Sequence, residues 1–192
     1  MTAPQRATGT AAKVSTGVLL LGLVSFITDV SSEMIMPLLP LFIVALGGSG
    51  VAVGLVSGVG DSVADFLKIF SGYLSDRLGR RKPLVALGYF SSALAKLFFP
   101  LATIWEHVLA LRVVERIGKG VRTAPRDAMI AGYAAMEVRG KAFGVHRAMD
   151  TAGAVLGSVI AFLLLWFLAL DFRRIFLAAA LLAFFALAPL YF

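Results

Sequence analysis

Gly72-Tyr-Leu-Ser-Asp76-Arg77-Leu-Gly79-Arg80-Arg81-Lys82 decides how this chain is read. It places four cations in six residues between two long apolar stretches, with one acid at its edge. Basic residues next to membrane spans stay on the cytoplasmic face, so the string fixes the side on which these two spans are joined. Asp76 falls at the end of the incoming helix, where the backbone dipole is negative and disfavours a carboxylate. It therefore needs a partner, either the arginines that follow or the N-terminus of another helix. Such a cluster reads as a latch between helices.

The rest of the chain supports a membrane setting. Of 192 residues, 59% are hydrophobic and 15% charged, and several apolar runs approach or exceed the ~20 residues that cross a bilayer. Cysteine is absent, which excludes disulfides and thiolate metal sites. The net charge of +7 fits cationic loops facing anionic lipid, and no nucleic-acid partner is expected. Residues 1–14 read as a flexible polar tail, and residues 15–192 as one membrane domain. The apolar run from Val18 to Leu46 is far longer than the 7–15 residues of a signal-peptide core, so it reads as a retained first helix.

Hydropathy, breakers and charge predict an all-α membrane protein of six transmembrane helices, over 16–46, 51–75, 83–104, 107–131, 140–169 and 172–192. Gly132 to Gly140 is expected to be a polar loop. With the N-terminus inside, the cytoplasmic segments hold Arg6, Lys13, Arg77, Arg80, Arg81, Lys82, Arg139 and Lys141, and the external ones only Arg173 and Arg174. Eight against two agrees with the positive-inside rule, and an even helix count returns the C-terminus to the cytoplasmic side of a multi-pass plasma-membrane protein.

The Gly72–Lys82 string resembles the loop 2–3 signature of the major facilitator superfamily, matching every defining position. Phe172-Arg173-Arg174-Ile175-Phe176 is similar to the family's W-R-x-I-F motif at the start of helix six, with Phe for Trp. Arg112, Gly118 and Gly120 resemble the helix-four pattern, with Arg116 where a glycine is usual. Gly153 to Ser158 resembles the antiporter pattern of helix five, with Ser for Pro; small residues four apart let helix backbones touch, so packing alone accounts for it. Thr28-Asp-Val-Ser-Ser-Glu-Met34 and the following Pro37-Leu-Leu-Pro40 resemble an uncharacterised bacterial branch.

The resemblance covers the N-terminal six-helix half of a twelve-helix transporter. In that fold the two halves are parallel repeats that hold the substrate between them. It implies that a six-helix unit needs a facing bundle. A homodimer is the first expectation, a separately encoded C-terminal half the second and a truncated product the third. The implied mechanism is alternating access, with Gly72, Asp76, Arg77, Gly79, Arg80 and Arg81 locking the cytoplasmic side.

Charges within the spans need an explanation, because each unpaired one at mid-bilayer costs at least ~2.5–3.5 kcal/mol. Arg112, Arg116, Lys119, Arg122 and Arg126 are spaced 4, 3, 3 and 4, which keeps them on one helical stripe. They form either an electropositive wall or an ion-pair ladder with acids on segments one, two and five; the ladder is favoured for Arg122 and Arg126. Asp29 and Glu33 lie one turn apart in a helix loosened by Ser31, Ser32, Pro37 and Pro40, and suit a proton or cation site. Lys68 can neutralise Asp65, which leaves Asp61 as a candidate. His146 and Asp150, four apart, could relay a proton or form an ion-paired gate. The substrate and proton candidates are Asp29, Glu33, Asp61, Arg112, Arg116, His146 and Asp150, serving a small polar or charged solute. No metal-site spacing is present, no cofactor is expected, and no Gly-x-Ser-x-Gly or His-Glu-x-x-His string points to an enzyme. The alternative class is a non-transporting assembly or regulatory subunit whose charges only dock a partner.

Overall fold

A computed structural model describes residues 14–191. The expected polar tail falls almost wholly outside the described residues. Among them the chain is helical throughout: α1 (Thr16–Ile35), α2 (Leu39–Ala45), α3 (Gly50–Leu78), α4 (Arg81–Phe98), α5 (Trp105–Tyr133), α6 (Arg139–Trp166) and α7 (Phe172–Phe185), with 3₁₀ turns at Phe99–Leu101, Met136–Val138 and Ala188–Tyr191.

Local chemistry sets the boundaries. The Ser15 hydroxyl accepts from the Val18 N–H at 3.4 Å and caps α1. Pro37 and Pro40 each lack a backbone donor, so the first apolar run breaks after Ile35 and resumes as α2. Gly79 ends α3 in the left-handed conformation at φ 62°, which a glycine adopts without a Cβ clash. Its N–H bonds the Ser75 carbonyl at 3.1 Å, and α4 starts two residues later, so the basic string forms a tight turn.

Five stretches are long and apolar enough to cross a membrane: 16–45, 50–78, 81–101, 136–166 and 172–190. The remaining one, α5, is as long as α3 but carries the stripe of cations. It packs along α3 on one side and α4 on the other, so its charged face meets protein. The expected loop from Gly132 to Gly140 is shorter in the structure, because α5 runs on to Tyr133 and α6 begins at Arg139. Pro125 is buried inside α5; packing between two neighbours offsets the hydrogen bond it forfeits.

Glycines permit the closest contacts. A Cβ on Gly118 of α5 would lie 2.5 Å from the Gly88 carbonyl oxygen of α4, and one on Gly153 of α6 2.5 Å from the Phe26 carbonyl oxygen of α1. Gly157, one turn on, faces the Val30 carbonyl in the same way. The Gly153–Gly157 pair is thus a helix-packing device.

Two apolar cores lie at opposite ends of the bundle. One gathers Val18, Leu21 and Val24 of α1 with Val85, Ile130 and Ala142. The other gathers Met34, Phe42, Val56, Phe99, Val108, Ala161 and Phe176, with the Phe42 and Phe176 rings edge to face at 5.1 Å. On α1, α4, α5 and α6 alike, the buried polar residues fall between these cores. The order is apolar, polar, apolar along the bundle axis.

Candidate functional site

The polar layer opens into a cavity of about 360 Å³. Its wall takes Ser25, Thr28 and Asp29 from α1, and Lys119, Arg122, Thr123 and Arg126 from α5. Lys68 of α3, Tyr89 of α4, and Arg147, Asp150 and Thr151 of α6 complete it. α3 packs on α5 and α6 on α1, rather than on each other, so the cavity opens between them. These two are also the least buried of the five apolar spans.

Ser25 is the centre of a buried network at one end of the cavity. Its Oγ lies 2.8 Å from the Tyr89 hydroxyl and 3.1 Å from His146 Nε2, and accepts from Arg126 Nη1 at 3.2 Å. His146 Nδ1 in turn is 3.6 Å from Asp150 Oδ2, whose other neighbour is Arg147 at 3.8 Å. Tyr89, Ser25, His146 and Asp150 therefore form a continuous line of polar groups from α4 through α1 to α6. Asp150 Oδ1 and Thr28 Oγ1 are buried without a hydrogen-bond partner.

Cations on α5 divide into two sets. Arg112 pairs with Glu115 one turn along the same helix, both side chains 5% exposed, and Arg116 reaches Asp61 of α3 at 2.9 Å. Arg126 pairs with Asp127 at 3.0 Å. Arg122 is different. It is 4% exposed, sits 4.3 Å over the Tyr89 ring and donates through Nη1 to Ser92 Oγ at 2.7 Å. No carboxylate among the described residues lies within ion-pair distance of Arg122 or Lys119. The acid ladder favoured for Arg122 is thus replaced by hydroxyl, carbonyl and aromatic partners, and Arg126 is paired by its own neighbour, because the acids of α1 lie too far away.

Of the seven substrate and proton candidates, the cavity brings Asp29 and Asp150 together, with His146 buried behind the wall. Asp29 and Glu33 make no ion pair among the described residues, whereas Asp61, Arg112 and Arg116 are paired off the cavity wall. Lys68 pairs with Asp65 at 2.6 Å, as their spacing predicts. In the basic string, Arg81 Nη2 donates to Asp76 at 3.0 Å and its Nη1 to the Ala128 carbonyl at 3.4 Å, tying the α3–α4 turn to the end of α5. A Cβ on Gly72 would stand 3.4 Å from Ala124, so α3 and α5 come close there too. Arg77 and Arg80 make no ion pair among the described residues.

Lys96 of α4 is the polar residue whose role the sequence reading missed. It is 1% exposed and donates to Ser31 Oγ at 3.0 Å and Ser32 Oγ at 2.8 Å. Those serines, expected to loosen α1, instead bind it to α4, and Ser31 also donates to the Ala179 carbonyl of α7 at 2.7 Å. A lone lysine in an apolar helix was the visible signal; its partners were not. Arg173 similarly donates to the Pro100 and Ala102 carbonyls at 2.5 and 2.9 Å, clamping the start of α7 to the turn that follows α4.

The all-helical architecture, the interhelical turn at Gly79 and the polar layer all agree with the family that the basic string resembles. The family's model matches residues 21–192. The chain belongs to the major facilitator superfamily. It is a family of transporters, not of enzymes. An uncharacterised transporter of this superfamily from Methanocaldococcus jannaschii is 44% identical over 180 residues, covering 94% of this chain and 45% of that protein. Multidrug resistance protein MdtH from Photorhabdus laumondii is 32% identical over 142 residues, covering 73% of this chain and 34% of the relative. Among solved structures, an inward-facing bacterial homologue of the human lysosomal transporter Spinster matches with a TM-score of 0.77 at 21% identity, covering 95% of this chain and 43% of that one. A peptide transporter crystallised with sulfate matches at 0.78 and 17% identity, covering 98% and 39%. The chain therefore spans less than half the length of each of these relatives, and the likeness to the solved structures is one of fold.

Proposed function

We propose that this chain forms half of an alternating-access transporter for a small polar or charged solute. The observation that supports it most is the cavity at mid-height of the bundle, lined by charge and open between α3 and α6. Charged side chains facing lipid there are costly, so a second six-helix bundle must cover the opening. The greater length of the relatives supports such a bundle. A copy of this chain in the same orientation is the partner proposed first, and a separately made half the second.

α5 is the sixth span in this reading, its cations screened by α3 and α4. The starts of α1, α4 and α6 lie at one end of the bundle with the basic string, and Arg173 at the other, which supports cytoplasmic termini. Arg116 and Asp61 then act as a pair that joins α5 to α3, and Arg112 is neutralised by Glu115 within α5. The Tyr89–Ser25–His146–Asp150 line, with Asp29 beside it, is the proposed proton path, and Gly72, Asp76, Arg77, Gly79, Arg80 and Arg81 form the cytoplasmic gate.

Reconstitution in vesicles containing a pH-sensitive dye tests the activity: a solute gradient should drive proton movement, and no response to any solute would refute coupled transport. Native mass measurement should give twice 20.4 kDa for a symmetric pair. Asp76→Asn isolates the gate. The Asp76–Arg81 pair is 69% and 39% exposed and is worth only ~0–1 kcal/mol, so the fold should persist while the rate falls. An unchanged rate would count against the latch.

A further inference from the structure

Arg122 is a wall residue with no carboxylate partner among the described residues to account for its charge. Its hydrogen bonds run through Nη1 alone, to Ser92 Oγ at 2.7 Å and the Gly88 carbonyl at 3.5 Å. A guanidinium has five N–H donors in a planar fork, and the Nε–Nη2 edge is left without an acceptor among the described residues. The Tyr89 ring covers one face at 4.3 Å and holds the plane in place. Such an edge fits the two oxygens of a carboxylate or phosphate. Lys119, on the same wall and one turn away on α5, is likewise without a carboxylate partner among the described residues.

The other wall cations are occupied. Lys68 meets Asp65, Arg126 meets Asp127, and Arg147 meets Asp150. Against the two free cations stands one free acid, Asp29, so the cavity has a surplus of one positive charge. A volume of about 360 Å³ lies in the range that holds a small organic molecule.

From this we infer that the solute carries a single oxyanion, held by the open edge of Arg122 and by Lys119. This rests on the cavity being the solute site of the proposed transporter, and it adds the charge of the cargo. Asp29 lies on the same wall and disfavours dianions.

Equilibrium binding to the purified full chain tests it, using three probes of one size and different charge: benzoate, benzyl alcohol and benzylamine. Benzoate should bind at least tenfold more tightly than the other two. Arg122→Gln and Lys119→Gln should each weaken benzoate at least tenfold, while Arg174→Gln, an exposed arginine at the other end of the bundle, should change nothing. Benzyl alcohol or benzylamine binding as well as benzoate would overturn the inference. So would retention of benzoate binding by the less buried Lys119→Gln, a variant that keeps the test decisive even where Arg122→Gln fails to fold. Binding is read without transport: benzoate selectivity in a chain that moves nothing would refute the transport reading and leave only an oxyanion-binding site, and solute-driven proton flux without benzoate selectivity would refute the oxyanion inference and leave transport.

Discussion

Removing either member of the Arg112–Glu115 pair should be among the most damaging single changes in this protein. Both side chains are 5% exposed, and losing one partner of a buried pair costs ~3–5 kcal/mol, because the other charge stays behind without compensation. The two directions are not equivalent. Lys96, Arg112 and Glu115 border the same small cavity. After Arg112→Met, Glu115 still has Lys96 nearby, so the loss should fall near ~3 kcal/mol. After Glu115→Gln, two buried cations share no acid, and the loss should approach ~5 kcal/mol. The difference is more than tenfold in the folding equilibrium, at ~1.4 kcal/mol per decade. The double variant Arg112→Met/Glu115→Leu replaces the pair by apolar side chains but leaves Lys96 without its acid, so it should lose less than Glu115→Gln alone without returning to the parent. Equilibrium unfolding in mixed micelles with rising dodecyl sulfate measures all three. Single variants that each lose less than ~1 kcal/mol, or a double variant as weak as the sum of the singles, would refute the buried-pair account.

Three further outcomes follow from the same packing. Gly157→Leu should destabilise the bundle by ~1–3 kcal/mol or more, since its first side-chain atom already overlaps the Val30 carbonyl, and thermal melting in detergent should show it. Ser25→Ala removes the group shared by Tyr89, His146 and Arg126; leaving these buried donors without it should cost ~1–3 kcal/mol by the same melt, and should also slow solute-driven proton movement if the line is the proton path. Gly79→Ala forces a Cβ into φ 62° and should lower stability by ~1–2 kcal/mol in mixed-micelle unfolding, with no change expected for Gly50→Ala, whose Cβ would meet nothing within 4 Å.

Much of the site was visible in residue spacing, and the rest was not, for a definite reason. Spacing along one helix predicted the α5 stripe, the Asp65–Lys68 pair and the nearness of His146 to Asp150, because residues three or four apart share a face whatever the fold. It could not tell which of Arg116 and Arg122 would find an acid on another helix. Arg116 meets Asp61 across 55 residues of chain, Lys96 meets Ser32 across 64, and Ser25 meets His146 across 121, and no local rule carries that information.

By itself the sequence determined that the chain is helical and membrane-bound, that its turn at Gly79 is tight and basic, and that its family is the major facilitator superfamily. Those properties depend on hydropathy, backbone conformation and short-range charge, all local to the chain. Which charges are spent on holding helices together, and which remain open to the cavity, was decided only in the tertiary structure. A buried charge is satisfied by whatever polar atom the packing brings within about 3 Å, and that atom usually belongs to another helix.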